Sequence, residues 1–154
     1  MTVLHSERRP SSVLGIRVAT NLVSFLIWSA GALHLLVASA NFFAPRKLHY
    51  GENLRKVSPI VRDVFIVQNI YIVLVQVTFA LLCFLFAPEL AGASLLGRFL
   101  SGFLALFWGL RVLLQLFFYN AEVKKQHPIF NLRFLACDLY LFAVFIVAIW
   151  AGVR

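Results

Sequence analysis

Four long apolar runs alternate with short polar stretches along the chain. Residues 18–44, 59–86, 95–119 and 130–153 each hold 20 or more residues, nearly all apolar. At about 1.5 Å rise per residue, each run crosses the roughly 30 Å hydrocarbon layer of a bilayer as a helix. The pattern predicts an all-α fold: an integral membrane, antiparallel four-helix transmembrane bundle. Residues 1–17 read as a loose, polar, basic tail, and 18–154 as a single transmembrane domain.

The punctuation between the runs supports these boundaries. Ser58-Pro59 suits a helix start, because Ser can accept a hydrogen bond from a free backbone N–H and Pro fits the first turn. Ala87-Pro88-Glu89 stops the second run. The Gly/Ala/Ser-rich stretch 91–97 reads as a short turn, with Ser94 capping the third run. His127-Pro128 leads into the fourth. The first run follows basic residues and ends on Ala38-Ser39-Ala40, as a signal peptide would. It is longer than a usual signal core, so it reads as a retained helix.

Within the runs, the few polar residues recur at helical spacing. Ser101, Trp108, Arg111, Gln115 and Tyr119 share one face of the third run. Arg62, Asn69, Gln76 and Cys83 recur every seven residues in the second. Ser24, Gly31 and Ala38 do so in the first, with His34 and Asn41 beside them. Asn131 lies on the face of Asp138 in the fourth. Small residues on such a face let helix backbones approach closely. The remaining Leu, Ile, Val and Phe suit lipid.

Composition sharpens the class. Of 154 residues, 62% are hydrophobic and 13% charged, about half the charge of an ordinary soluble domain. Mean hydropathy is +0.89. A net charge of +8 would suggest nucleic acid in a soluble protein. Here the cations sit in loops and at run ends, where they meet anionic lipid head groups and set topology, so nucleic-acid binding is not expected. Cys83 and Cys137 lie within different runs at different depths, which argues against a disulfide. No metal-ligand spacing occurs.

Four runs put both termini on one side. The opposite side holds loops 45–58 and 121–129, with Arg46, Lys47, Arg55, Lys56, Arg62, Lys124, Lys125 and Arg133. The terminal side holds Arg8, Arg9, Arg17, Arg98 and Arg154. Eight cations against five place the two loops in the cytoplasm and both termini outside by the positive-inside rule. Leu48 and Tyr50 of the basic loop could dip into the interface while its cations hold phosphates. A docking surface for a partner protein is the sharper reading of that loop.

Arg111 and Asp138 are costly where they stand. A charge at the centre of a membrane helix costs about 2.5–3.5 kcal/mol even on the lenient insertion scale. Counting from the shared loop puts both at roughly 12–14 Å depth on neighbouring helices, so an ion pair is expected. His34 and Asn69 count to roughly 15 Å from the same side, giving a layer of His34, Asn69, Arg111 and Asp138. The plain reading of Arg111–Asp138 is a clamp holding two helices in register. The sharper reading is a handle for a proton or an anion. The plain reading of His34 is a hydrogen bond to Asn69 or Gln68, and the sharper one a proton relay or axial ligand. A bis-histidine haem lacks a second histidine at that depth, and a di-metal centre lacks carboxylates. Trp108 and the phenylalanines read as packing or lipid-facing residues, with an aromatic wall for a quinone as the sharper alternative.

No nucleophile–base pair, phosphate loop or paired carboxylates can be assembled, which leans against an enzyme. The sequence therefore points to a non-enzymatic membrane subunit or lipophilic-ligand-binding bundle. Its candidate site is His34, Asn69, Arg111, Gln115 and Asp138, with no catalytic or metal residue and no cofactor specified. The expected partners are membrane lipids, a lipophilic small molecule, and a membrane protein or a second copy. The alternative is a small proton-coupled transporter or membrane redox protein relaying protons through Asp138 and His34.

Overall fold

The computed structural model describes residues 10–47, 57–118 and 128–151. Among the described residues five helices occur in order: α1 (Pro10–Lys47), α2 (Pro59–Leu85), the single turn α3 (Ala87–Leu90), α4 (Leu95–Phe118) and α5 (Pro128–Ala151). No strand occurs among the described residues. Four helices are long and apolar enough to span a membrane: Thr20–Phe43, Pro59–Leu85, Leu95–Phe117 and Asn131–Ala151. The chain is all-α, a four-helix bundle fits it, and it is an integral, multi-pass membrane protein. Exposed Phe25, Leu36, Ile60, Ile70, Leu106, Phe117 and Trp150 supply the surface that lipid covers.

The boundaries depart from the apolar pattern in instructive ways. α1 begins at Pro10, so residues 10–17 are helical rather than loose tail; residues 1–9 lie outside the described residues. Backbone hydrogen bonding continues past the end of an apolar run, and Pro suits a first helical position because it lacks the N–H that would go unused. α1 also runs through Pro45 to Lys47, where a proline in the last turn forfeits a single backbone bond. The rest of the basic loop, 48–56, and residues 119–127 lie outside the described residues.

Ser58 sits at the N-cap of α2 with φ −60° and ψ 147°, but its hydroxyl makes no capping bond. Its carbonyl takes the Arg62 N–H at 3.1 Å. The expected cap is therefore absent, and Pro59 alone supplies the start signal.

The α3–α4 corner is tightly specified. Ser94 is the cap the sequence implied: its hydroxyl oxygen accepts the Gly97 N–H at 3.0 Å while its O–H donates to Glu89 Oε1. The Ser101 hydroxyl, fully buried, donates to the Leu90 carbonyl at 3.2 Å. Gly97 is required here, because a Cβ would lie 2.1 Å from the Glu89 carbonyl oxygen. Three small residues thus fold α3 onto the first two turns of α4. Ala87-Pro88-Glu89, which reads as a plain stop, forms a helical turn of its own.

The chain forms two compact units, Trp28–Phe86 and Met1–Ile27 with Ala87–Arg154. In the first, α1 approaches α2 closely where Gly31 faces Cys83; a Cβ on Gly31 would lie 3.0 Å from the Cys83 Cβ. α2 buries Gln76, Phe79, Ala80 and Cys83, whereas none of its residues from Pro59 to Val75 is buried. In the second unit, α4 buries Gly97, Ser101, Leu104, Ala105, Trp108, Val112 and Gln115, a stripe at helical spacing. α5 buries Asp138, Leu141, Val144, Phe145 and Ala148 and packs along α4.

Candidate functional site

α4 and α5 cross in an antiparallel register that three contacts define. Gly109 faces the Phe142 ring, Arg111 meets Asp138, and Gln115 meets Asn131. As the α4 number rises, the α5 number falls. Register and face together therefore carry Arg111 to Asp138, as loop counting predicts.

The ion pair has two unlike halves. Arg111 Nε lies 3.7 Å from Asp138 Oδ2, beyond hydrogen-bond length. The Asp138 side chain is 5% exposed and that of Arg111 44%. Only the acid belongs to the buried stripe; the arginine sits at its edge. Counting from Phe118, Arg111 lies about 10 Å inside the end of its helix.

One turn further on, Gln115 is buried, and its Nε2 donates to the Asn131 carbonyl at 3.0 Å and to Asn131 Oδ1 at 2.9 Å. Both amide protons are used on one residue. This leaves two buried acceptors, Asp138 Oδ2 and Gln115 Oε1, with no hydrogen-bond donor among the described residues. Buried acceptors call for a donor, because an unmet polar atom costs several kcal/mol in hydrocarbon. The α4–α5 seam thus holds one half-exposed cation and two buried acceptors. It can bind a group carrying an anionic or carbonyl oxygen on the Arg111 side, and a water or hydroxyl on the inner side.

His34 is fully buried in the other unit, where its Nδ1–H donates to Gln76 Oε1 at 2.8 Å. Its ring meets the edge of Phe79 at 5.6 Å. The expected partner, Asn69 or Gln68, is corrected to Gln76. Asn69 is half-buried and Gln68 exposed. The physical reason is a register shift of seven residues, two helical turns, which keeps the same face of α2 toward α1. The predicted pairing of His34 with Asn69 in one layer therefore fails, while the pairing of Arg111 with Asp138 stands. Trp108 is buried, as a packing residue. Cys83 and Cys137 are free thiols.

Two polar residues outside the predicted site belong to these clusters. Gln76 was legible as a member of the α2 heptad, and Asn131 as a residue on the face of Asp138; neither spacing says which heptad member pairs. Protein-family models, curated proteins and solved structures were compared with this chain, and none matches.

Proposed function

We propose that this chain is a non-enzymatic membrane protein that binds a lipophilic molecule, on its own or as a subunit, through the α4–α5 polar centre. The observation that carries this reading is the exposure of Arg111. Its side chain is 44% exposed at membrane depth, and its guanidinium makes no hydrogen bond among the described residues. Guanidinium donors facing hydrocarbon demand an acceptor from outside the chain. A ligand's carboxylate or carbonyl oxygen meets that demand, with Asp138 holding the arginine in place and Gln115 beside it. His34 and Asn69 have no part in this centre as proposed.

The test is to purify the protein from membranes in mild detergent, extract it with organic solvent and identify the bound lipophile by mass spectrometry. Wild-type protein should carry one near 1:1, and Arg111→Gln should lose it while remaining helical by circular dichroism. If the Arg111→Leu/Asp138→Leu double variant keeps both its fold and its bound molecule, the centre is a clamp and the proposal fails.

A second reading rests on Asp138, whose buried Oδ2 accepts no hydrogen bond among the described residues. Such a carboxyl could carry a proton. Proton flux into proteoliposomes that Asp138→Asn abolishes without unfolding the protein would favour it over ligand retention. For orientation, we propose that loops 45–58 and 121–129 face the cytoplasm, on the eight-to-five excess of cations. In a cysteine-free background, Ser94→Cys should react with a membrane-impermeant maleimide applied from outside whole cells.

A further inference from the structure

The charges at the α4–α5 centre decide what kind of oxygen the open donors of Arg111 take; the inference rests on the ligand-binding reading above and narrows it. Arg111 brings one cation, and Asp138 sets one carboxylate 3.7 Å from it. As a pair they are neutral. Asp138 Oδ2 is buried and has no hydrogen-bond donor among the described residues, so the arginine is the group that offsets its charge. The contact runs through Nε, the inner nitrogen of the guanidinium. The two Nη groups lie beyond it, at the end of a half-exposed side chain.

The surroundings are set against a second anion. Gln115, one turn along α4, places both amide protons on Asn131 and leaves a buried acceptor, Oε1. It therefore has no donor to offer a carboxylate. The other described cations of α4 and α5 are Arg98 and Arg133. Arg98 precedes Arg111 by thirteen residues, about 20 Å along the helix. Arg133 precedes Asp138 by five, which is about 140° around α5 and so on its far face.

A carboxylate on the Nη donors would make two anions share one cation, leaving net negative charge in hydrocarbon. Even on the lenient insertion scale a charge at that depth is disfavoured by about a hundredfold. An uncharged carbonyl oxygen keeps the centre neutral and still accepts two N–H groups through its two lone pairs. Exposed Phe107 and Leu114 on α4 and Phe134 on α5, each about one turn from Arg111 or Asp138, give such a molecule apolar walls. We infer that the centre selects a neutral, carbonyl-bearing lipophile over a fatty-acid anion. Asp138 sets the choice: it meets the arginine's need for a counter-charge and leaves its need for an acceptor.

Competition on the full chain tests this. Protein purified in a non-ionic detergent is given equal amounts of differently labelled methyl palmitate and palmitate, at alkaline pH where the acid is ionised. Bound label is normalised to the uptake of each lipid by protein-free micelles. Wild type should hold methyl palmitate at least about tenfold over palmitate, allowing for partial screening of the charge. Hexadecane, which has no oxygen, should not be held above the micelle level. Asp138→Asn removes the charge and keeps the shape; it should reverse the order in favour of palmitate. Asp138→Glu keeps the charge and should keep the wild-type order, and with wild type it decides the matter if Asp138→Asn does not fold. Equal binding of the two lipids by wild type, or a preference for palmitate, would overturn the inference and leave the ligand-binding reading standing, with the ligand as counter-ion. An unchanged order in a folded Asp138→Asn protein would also overturn it, because charge would not be making the choice. Retention of neither lipid, or retention by Arg111→Gln as strong as by wild type, would instead overturn the underlying reading and the inference with it.

Discussion

Asp138 and Arg111 face each other across the α4–α5 seam at 3.7 Å, with the acid 5% exposed and the base 44% exposed. This asymmetry makes the consequences of removing either partner unequal. A charge stranded inside a packed seam has no alternative partner. The half-exposed arginine at the seam's edge is not stranded in the same way when Asp138 is removed, because its donors still face an acceptor from outside the chain.

Arg111→Leu should therefore destabilise the protein by about 3 kcal/mol or more, since it leaves Asp138 buried and unpaired. Asp138→Leu should cost clearly less, and the double replacement should recover most of the loss in Arg111→Leu. Reversible unfolding in mixed micelles, read as a double-mutant cycle, measures all three. Equal costs for the two single variants would contradict the asymmetry.

Gln115 carries both of its amide hydrogen bonds on Asn131. Gln115→Leu should cost about 1–2 kcal/mol, because interhelical bonds in membranes average about 0.6 kcal/mol each. Asn131→Ala should cost less, because the backbone carbonyl of residue 131 still accepts. The same unfolding assay ranks the pair.

The register of α1 on α2 can be checked with two substitutions on one face. Gln76→Leu removes the acceptor of the buried His34 Nδ1–H and should cost about 1–3 kcal/mol. Asn69→Ala, seven residues away, should change stability by no more than about 0.5 kcal/mol. The reverse order would restore the pairing that loop counting suggests.

Two glycines in α4 give a matched contrast. Gly97→Ala would place a Cβ 2.1 Å from the Glu89 carbonyl, and overpacking of that kind costs about 1–3 kcal/mol. Gly102 has nothing within 4 Å of where a Cβ would sit, so Gly102→Ala should stabilise the helix by about 0.5–1 kcal/mol. Melting temperatures in a single detergent should move in opposite directions.

Much of the fold was legible because the bilayer leaves few options. A backbone in hydrocarbon must bond to itself, so a long apolar run is a helix, and its length locates it within a few residues. The ends were less legible. α1 extends through residues 10–17 and 45–47 because helix formation does not require apolar side chains. Ser94 caps α4 and Ser58 does not cap α2, although both are serines in front of a helix. A hydroxyl's local partner depends on how the chain turns there, and Ser94 also has Glu89 within reach.

The candidate site divides along the same line. The chain alone determined four membrane-length helices, the polar face of each, and the equal depth of Arg111 and Asp138, because rise per residue and the 3.6-residue turn convert sequence distance into position. Tertiary structure decided which heptad member meets which. His34 pairs with Gln76 rather than Asn69: a slide of two turns keeps the same face of α2 toward α1, and the close approach of Gly31 to Cys83 accompanies the register observed. Tertiary structure also decided that Asp138 lies within the seam and Arg111 at its edge. One step around a helix separates the two settings, and packing, not spacing, sets where the partner helix ends.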